Sequence, residues 1–412
     1  MPFILIQGLY VNRFVKNSGA FSFHYAATLF YQASIPVFLL SNFSENQASS
    51  WFIAVSLFTI ITALDLGILQ YLNFRLYRLN SKGKFSYNTQ NIIKIYNGYI
   101  YGSIILITII SFCVALNFYA ELLFLSLGIS LGYLNRYFQI VLKSYNKLPI
   151  GVLINSFPVL IFIGILYFQK NGNIFIIGFY YFLCQNIAII LFILFLTRKT
   201  DFTFKFMLRR DKNILFLKRA TKYWSLQLLQ MATQFLPVIL IGNIFSASEL
   251  MLFVTLRTIA TLPLSVSLVM TAAIGPYITD LVTKNISLIK KKILQLKTLF
   301  LLCSAICYFF IYILGGYIYS LWLDDKIEYN AVLFLILCVR SFLQIIISLE
   351  QNISVYLGNP LSKIAYEMYM IVGFGFGIIA TGVQNISLAY FVLLFLILPQ
   401  VLAFIHLKVL KK

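Results

Sequence analysis

The sequence predicts an all-helical integral membrane protein, and three observations support that class. The 412 residues are 61% hydrophobic and only 11% charged. Apolar stretches of about twenty residues recur along the whole chain, and each is long enough to cross about 30 Å of hydrocarbon. The short alternation of apolar and polar residues that marks an outer-membrane barrel is absent. Helices rather than strands are therefore expected to cross the membrane.

Twelve apolar stretches are long enough to form transmembrane helices. They cover residues 21–41, 50–71, 95–116, 120–141, 149–168, 174–197, 222–244, 250–272, 298–320, 330–349, 361–381 and 386–407. A basic loop after the sixth stretch divides the chain into an N-terminal six-helix lobe (1–197), a basic cytoplasmic linker (198–221) and a C-terminal six-helix lobe (222–412). Both lobes then have the same orientation, as in parallel repeats around an axis along the membrane normal.

The lysines and arginines predict the orientation of these spans. When both termini are placed in the cytoplasm, every basic residue lies in or beside a cytoplasmic segment except Lys170, Lys326, Arg257 and Arg340. Cytoplasmic loops of membrane proteins carry such an excess of positive charge. The formal charge of +20 therefore indicates topology and contact with anionic membrane lipids, and we expect no nucleic-acid partner.

A weak internal repeat supports two pseudo-symmetric lobes. The segment "PVFLLSNF" at 36–43 resembles "PVILIGNI" at 237–244, at an offset of 201 residues. The same offset pairs Phe52 with Phe253 and sets Arg257 opposite Ser56.

Arginines inside the spans are the first candidates for a binding site. We expect Arg257 about 10 Å and Arg340 about 15 Å from the outer ends of their spans, at 1.5 Å per residue. Arg136 adds a third positive charge toward the cytoplasmic side. Such residues tend to face protein or a water-filled cavity, because a central arginine costs about 2.5–3.5 kcal/mol. A cavity lined this way favours an anion, but snorkelling to the headgroups or a structural ion pair would also explain Arg257 and Arg340.

Other polar residues are few within the spans. Asp65 lies near the cytoplasmic end of the second span, and Glu367 follows Lys363 at a spacing that also suits a local salt bridge. No metal site and no cofactor are predicted, because the five cysteines and two histidines lack ligand spacing. Gly373 and Gly377 have the small-residue spacing of close helix packing.

The seventh span carries a row of amides. In "YWSLQLLQMATQFLP", Gln227, Gln230 and Gln234 recur at three and four residues and share one helix face, with Trp224 on the same side. Amides in hydrocarbon must find partners. This face suits a hydroxyl-rich ligand such as a sugar, and it equally suits hydrogen bonds between helices.

Three segments and the overall topology resemble one known family. The segments are "LDLGIL" at 64–69, "PVILIGNIFSASELMLFVTLRTIATLP" at 237–263 and "YSLWLDD" at 319–325. Together with twelve spans, they are similar to O-antigen flippases, the Wzx-type polysaccharide transporters of the multidrug/oligosaccharidyl-lipid/polysaccharide (MOP) exporter superfamily. The resemblance covers essentially the whole chain and implies the two-lobed architecture of MATE-like transporters.

The resemblance implies a transporter without a cofactor in the bacterial inner membrane. Its substrate would be an undecaprenyl-pyrophosphate-linked oligosaccharide, moved from the cytoplasmic to the periplasmic leaflet by alternating access. Arg257, Arg340 and Arg136 would neutralise the pyrophosphate and nearby sugars in a central cavity, and the amide face with Trp224 would contact sugar hydroxyls. Other polysaccharide-assembly proteins could be partners.

One departure from the family bears on ion coupling. Relatives often have an acidic residue where this chain has Pro237, so coupling to H⁺ or Na⁺ would depend on Asp65 or Glu367. Two other functions stay open at this point. The first is a multidrug or cation exporter of the same superfamily, which the buried arginines disfavour. The second is a polytopic O-antigen polymerase or ligase, which the short outer loops disfavour.

Overall fold

A computed structural model describes residues 2–81, 87–145, 147–169, 173–200, 202, 204–205, 210–265, 267, 286–324, 326–356, 361–383 and 386–409. These residues form helices joined by short turns. The predicted all-helical class is therefore confirmed.

The helices are long and follow one another closely along the chain. In order they are α1 (Pro2–Asn42), α2 (Glu45–Ile61), α3 (Ile68–Ser81), α4 (Tyr87–Phe118), α5 (Leu123–Ser144), α6 (Leu148–Phe168), α7 (Ile174–Lys199), α8 (Arg210–Ile244), α9 (Ala247–Ala260), α10 (Ile286–Leu323), α11 (Ala331–Tyr356), α12 (Leu361–Val383), α13 (Leu388–Val392) and α14 (Leu398–Val409). A π-helical turn, Leu393–Ile397, joins α13 to α14.

Nine helical segments of the described part are long and apolar enough to cross a membrane. The predicted spans 21–41, 120–141 and 250–272, which correspond to α1, α5 and α9, are outside this set. Helix α9 has only 14 residues, which is too short for a full crossing. The count of twelve spans and the cytoplasmic placement of both termini stay predictions.

The chain forms two compact units, each assembled from separate segments. Unit 1 comprises Met1–Tyr31, Asp65–Thr221 and Leu268–Ile286, and unit 2 comprises Gln32–Leu64, Lys222–Ser267 and Ser287–Lys412. The predicted linker ends at the change from unit 1 to unit 2 at Thr221. Residues 32–64, however, belong to the same unit as most of the C-terminal half. The division into lobes 1–197 and 222–412 stays a prediction.

Two predicted spans are interrupted at similar places in the repeat. In the span 50–71, α2 gives way to a turn in which Leu66 and Gly67 have φ of 56° and 71°. Glycine adopts this left-handed conformation easily, whereas it is a rare and strained conformation for leucine. In the span 250–272, α9 ends at Ala260, and Pro263 follows, as is common just after a helix end.

The turn between the first two helices of each repeat has the same capping arrangement. Ser44 and Gln47 form a reciprocal capping box at the start of α2, and Ser246 and Glu249 form one at the start of α9. The two serines are one residue further apart than the offset of 201. The pairing predicted from that offset is therefore wrong beyond this turn.

After this correction, Trp51 rather than Phe52 corresponds to Phe253. Both Trp51 and Phe253 are completely buried. Val55 rather than Ser56 then corresponds to Arg257. The charged residue of the second repeat thus has an apolar counterpart in the first.

The helix before this turn contains a proline in both repeats, Pro36 in α1 and Pro237 in α8. Proline has no N–H to donate, and its ring displaces the preceding turn. The carbonyl groups there can accept hydrogen bonds from elsewhere. In α1 the Nε1 of Trp322 donates to the carbonyl oxygen of Ala33 at 3.0 Å.

In unit 1, α5 packs against α3, α4, α6 and α7. Its approach to α7 is close because glycines leave room for the neighbouring helix. A Cβ at Gly128 would lie 2.7 Å from Cδ1 of Tyr181, and one at Gly178 would lie 3.1 Å from the backbone nitrogen of Leu125. Carbon atoms in contact are normally about 3.5 Å or more apart. A larger residue at Gly128 would therefore displace the Tyr181 ring, and one at Gly178 would require a small shift of α5.

In unit 2, α9 packs against α2 and α11, and α11 also contacts α12, α13 and α14. Glycines again allow close packing, here between α12 and the last helices. A Cβ at Gly373 would overlap Cγ of Pro399, and one at Gly377 would lie 2.9 Å from Cγ of Phe395. The close packing predicted for these two glycines is confirmed.

Candidate functional site

The two arginines predicted within spans lie in unit 2 at nearly equal depths along their helices. Arg257 is about 15 Å from the start of α9 and Arg340 about 14 Å from the start of α11, at 1.5 Å per residue. Helix α9 begins at Ala247 rather than at residue 250, so Arg257 is further from the start of its helix than the span 250–272 implied. Its depth in the membrane stays a prediction.

Arg257 contacts backbone and aromatic groups. Its Nη2 donates to the carbonyl oxygen of Gln234 at 2.8 Å, three residues before the Pro237 kink. Its guanidinium carbon lies 6.0 Å from the ring centroid of Phe253. The residue occupies the last turn of α9, where the helix dipole favours a cation. Among the described residues, its charged electrostatic neighbour is Arg340, which repels it.

Arg340 is 9% exposed and lies near Tyr366 and Glu367. Glu367 is also buried, and its Oε2 accepts a hydrogen bond from Oγ1 of Thr233 at 2.5 Å. Lys363 attracts the same carboxylate. The predicted local pairing of Lys363 with Glu367 is thus only part of a larger arrangement, in which one carboxylate is shared between two cations.

These side chains form a connected cluster with an excess of positive charge, which we call the unit 2 cluster. It consists of Arg257, Arg340, Lys363 and Glu367. Within the described part of the chain, the cluster holds three cations and one carboxylate, and no carboxylate is a charged neighbour of Arg257. Uncompensated charge at membrane depth is expensive unless it meets water or a counter-ion. The cluster therefore favours an anionic ligand.

The amide face of α8 lies in the same unit. No hydrogen bond within the described part of the chain involves the side-chain amides of Gln227, Gln230 or Gln234. Gln234 is exposed, Gln230 is half-buried and Gln227 is buried, with no partner for its Oε1. None of the interhelical bonds considered for these amides is formed within the described part of the chain, and a contact of Gln230 and Gln234 with a ligand stays a prediction. Trp224 differs, because its Nε1 donates to the carbonyl oxygen of Ala63 at 3.1 Å.

Asp65 lies in unit 1 and is completely buried. Its two oxygens accept the backbone N–H groups of Gly67 at 2.9 Å and Leu69 at 3.1 Å. Tyr133 donates its hydroxyl to the same carboxylate at 2.9 Å. Asp65 is therefore the cap of α3, at the break in the second predicted span.

Arg136 also lies in unit 1, and its side chain is exposed. Its electrostatic neighbours include Asp65, Tyr133 and Tyr181. The structure thus places the three predicted arginines in different units: Arg136 in unit 1, and Arg257 with Arg340 in unit 2. The central cavity expected to unite all three stays a prediction.

Sequence reasoning missed several residues that lie beside the predicted site residues. Thr233 lies between Gln230 and Gln234 on α8, so its place beside the amide face was available from the helical spacing. Tyr133 and Tyr181 gave no comparable signal, because tyrosine is frequent in this chain, with 27 residues. Their partners lie far away in sequence, which no local pattern reveals.

No protein-family model matches the sequence, and no curated protein matches it. Several solved structures are similar to it. The MATE transporter VcmN of Vibrio cholerae superposes with a TM-score of 0.72 at 12% identity, over 97% of each chain. A multidrug resistance MATE family transporter of the MOP superfamily in an inward-facing conformation gives 0.71 at 13% identity, over 94% of this chain and 96% of that one. An outward-facing conformation of such a transporter gives 0.66 at 14% identity, over 96% and 94%.

Identities this low establish the fold alone. The similar structures are transporters and not enzymes, and their similarity extends over nearly the whole chain. The predicted MATE-like architecture is confirmed at this level. The chain has the multi-pass membrane fold of the MATE transporters of the MOP superfamily.

Proposed function

We propose that the protein is a flippase for an undecaprenyl-pyrophosphate-linked oligosaccharide. It moves the headgroup of this lipid from the cytoplasmic to the periplasmic leaflet of a bacterial inner membrane, in the assembly of O-antigen or a related surface polysaccharide. The observation that carries the proposal is Arg257 of the unit 2 cluster, a partly buried cation whose charged neighbour among the described residues is a second cation, Arg340.

The charge of the ligand suits this cluster. A pyrophosphate diester carries two negative charges, and Arg257 and Arg340 are two neighbouring cations. Arginine meets phosphate oxygens with bidentate, charge-assisted hydrogen bonds. The free amides of Gln230 and Gln234 can both donate to and accept from sugar hydroxyls. The apolar polyprenyl chain remains in the lipid.

Transport follows from two alternating conformations of one fold. Solved structures similar to this chain include inward-facing and outward-facing conformations. Coupling to H⁺ or Na⁺ is assigned to Glu367, because it has one hydroxyl partner, Thr233, and lies among the ligand-binding cations. A bound cation or proton at Glu367 would increase the positive charge that the lipid headgroup meets.

A multidrug exporter is the second candidate function. It is favoured by the similar structures, which are multidrug resistance MATE family transporters. The unit 2 cluster argues against organic cations as substrates, since the neighbouring Arg257 and Arg340 repel them.

Reconstituted vesicles distinguish the two functions. Proteoliposomes containing the full-length protein are loaded with undecaprenyl-pyrophosphoryl-N-acetylglucosamine, and an impermeant galactosyltransferase labels sugar that reaches the outer surface. Half of the lipid faces outward from the start and is labelled without transport. We expect the wild type to bring more than this half to the outer surface, and we expect Arg340→Ala to reduce the rate of this further labelling to that of vesicles without protein. Ethidium efflux from the same vesicles without any movement of the lipid would instead establish a drug exporter.

A further inference from the structure

Thr233 on α8 is a buried hydroxyl with two acceptors for a single proton. Its Oγ1 lies 2.5 Å from Oε2 of Glu367 on α12. The same Oγ1 lies 3.1 Å from the carbonyl oxygen of Gln230, about one turn earlier on α8. A threonine hydroxyl carries one O–H donor and two acceptor lone pairs. It can therefore point its proton directly at only one of these two oxygens at a time.

The contact with Glu367 has the length of a charge-assisted hydrogen bond. A hydroxyl that donates to an ionised carboxylate lies about 2.5–2.7 Å from it, whereas two neutral oxygens are usually about 2.7–2.8 Å apart. The distance of 2.5 Å thus corresponds to Thr233 donating to an ionised Glu367. Both side chains are buried, which makes such a bond stronger than it would be in water.

The charged and titratable neighbours of Glu367 come from two helices. Arg340 on α11 and Lys363 on α12 both attract the carboxylate, and Tyr366 is its neighbour on α12. Helix α8 contributes the uncharged hydroxyl of Thr233. The carboxylate thus lies beside two cations and one hydroxyl donor.

The remaining elements packed against α12 are the π-helical turn and α14. The π-helical turn, Leu393–Ile397, is apolar. On α14, Gln400 donates to the carbonyl oxygen of Arg340 at 3.4 Å. The described titratable residue of α14 is His406, and its Nδ1 lies 2.8 Å from the hydroxyl oxygen of Tyr369. This histidine therefore bonds a residue other than Glu367.

We infer that the ion bound by Glu367 is a proton and that Thr233 is the positioning residue for it. The Thr233 hydroxyl donates to the ionised carboxylate. When Glu367 takes up a proton, the new carboxyl O–H donates to Oγ1 of Thr233, and the threonine proton turns to the carbonyl oxygen of Gln230. Glu367 can thus change its charge without leaving a buried polar group unsatisfied, which would be costly.

A metal cation fits this arrangement less well than a proton. It would have to displace the contact between Thr233 and Glu367, and it would approach the positive charges of Arg340 and Lys363. The inference rests on the proposed function, in which Glu367 is the coupling acid among the ligand-binding cations. Proton uptake removes the charge that attracts these two cations, so more of their charge acts on the pyrophosphate of the lipid.

The experiment follows the carboxyl group itself and needs no lipid substrate. Infrared difference spectra of the purified full-length protein are recorded over a series of pH values. The carbonyl band of a protonated carboxylic acid that is missing in Glu367→Gln reports on Glu367, and the pH at which half of this band has appeared is the midpoint of proton uptake. We expect the wild type to have the same midpoint in sodium chloride and in choline chloride at equal ionic strength.

Three variants test the positioning role. Thr233→Val removes the hydroxyl with little change in shape, and we expect it to raise the midpoint by about one pH unit, because the ionised carboxylate loses a hydrogen bond. Thr233→Ser restores a hydroxyl and should restore the wild-type midpoint. Thr255→Val is the matched control: it removes another buried hydroxyl of unit 2, which contacts Tyr319, and should leave the midpoint unchanged.

Each other outcome overturns a different statement. An unchanged midpoint in Thr233→Val would overturn the positioning role of Thr233. A midpoint that falls when sodium replaces choline, or spectra in which Glu367→Gln removes no band, would overturn the proton as the ion bound by Glu367. The expected infrared result in a wild type that binds no farnesyl-pyrophosphoryl-N-acetylglucosamine would overturn the flippase proposal and leave the proton site intact.

Discussion

The two units use arginine in opposite ways. In unit 1, Arg136 has the acidic neighbour Asp65, and no hydrogen bond joins its guanidinium to a described residue. In unit 2, Arg257 donates to a backbone carbonyl and has no carboxylate among its described neighbours, whereas Arg340 shares Glu367 with Lys363. We therefore expect the charge around each arginine, rather than the number of arginines, to decide which of them binds phosphate.

The buried acids Asp65 in unit 1 and Glu367 in unit 2 also differ in their surroundings. Asp65 accepts three hydrogen bonds and caps the start of α3. Glu367 accepts one from Thr233 and lies among cations. Both were candidates for ion coupling from the sequence alone. The hydrogen bonds of Asp65 give it a capping role, and Glu367 is the acid that we propose to exchange a proton or a cation.

The largest effect is expected from removing an arginine of unit 2. Arg340→Ala should weaken binding of farnesyl pyrophosphate about 10- to 100-fold, because hydrogen bonds to charged groups contribute about 1.5–3 kcal/mol each. Arg136→Ala should change the same dissociation constant less than threefold. Isothermal titration calorimetry of the purified variants measures both.

The control for this pair is Arg198→Ala, which removes an exposed arginine at the end of α7. It should bind like the wild type. Similar losses in Arg340→Ala and Arg136→Ala would contradict the contrast between the two units.

The second-largest effect on lipid affinity is expected from replacing Glu367, the carboxylate of the unit 2 cluster. Glu367→Gln should bind farnesyl-pyrophosphoryl-N-acetylglucosamine about fivefold more tightly, since one negative charge near the pyrophosphate is removed at moderate effective dielectric. In the wild type, falling pH protonates Glu367 and removes the same charge. Wild-type affinity should therefore increase as the pH falls from about 8 to 5, and the variant should show no such increase.

This pH titration uses the sugar-bearing lipid because its pyrophosphate is a diester whose charge is constant in that range. Asp65→Asn is the matched control and should retain the pH dependence of the wild type. A Glu367→Gln variant whose affinity still follows the pH would assign the titrating group elsewhere.

The parts of the fold that were predictable are those encoded by local patterns. Long apolar stretches produced the helical membrane class, and the spacing of Gly373 and Gly377 correctly indicated close packing. The breaks in the second and eighth spans were not predicted. Gly67 alone resembles a tolerated helix glycine, and the strained φ of Leu66 is stabilised by the Asp65 cap and its Tyr133 contact, which bring together residues distant in sequence.

The candidate site was predictable only as residue types. The sequence identified Arg257, Arg340, Arg136 and Glu367 as unusual in apolar surroundings, but it could not assign partners to them. The spacing of Lys363 and Glu367 suited a local salt bridge as well as a role in coupling, but it gave no sign that Arg340 from another helix shares that carboxylate. Electrostatic balance depends on distances between helices, and these distances follow from packing rather than from local sequence.

The third effect tests how packing in unit 1 positions Tyr181. Gly128→Ala places a Cβ 2.7 Å from Cδ1 of Tyr181 and 3.2 Å from the backbone of Phe182, so the ring must move. We expect the free energy of unfolding to fall by about 1–3 kcal/mol, the usual range for overpacking.

Gly164→Ala in α6 is the control for this variant, since a Cβ there meets nothing within 4 Å. Its thermal unfolding in detergent should match that of the wild type or show slightly higher stability. A Gly128→Ala protein as stable as the wild type would mean that the Tyr181 ring makes room for the added methyl group without loss of packing.

The smallest effect on transport is expected from Asp65. Asp65→Asn keeps one oxygen for the N–H groups of Gly67 and Leu69, so the cap weakens without disappearing, and the free energy of unfolding should fall by about 1 kcal/mol. Lipid movement in proteoliposomes should stay within twofold of the wild type and should keep its response to an imposed pH gradient. Glu367→Gln, measured beside it, should lose that response. If Asp65→Asn lost the response and Glu367→Gln kept it, Asp65 would be the coupling group. The coupling role that we assign to Glu367 from the hydrogen bonds of the two acids would then belong to Asp65.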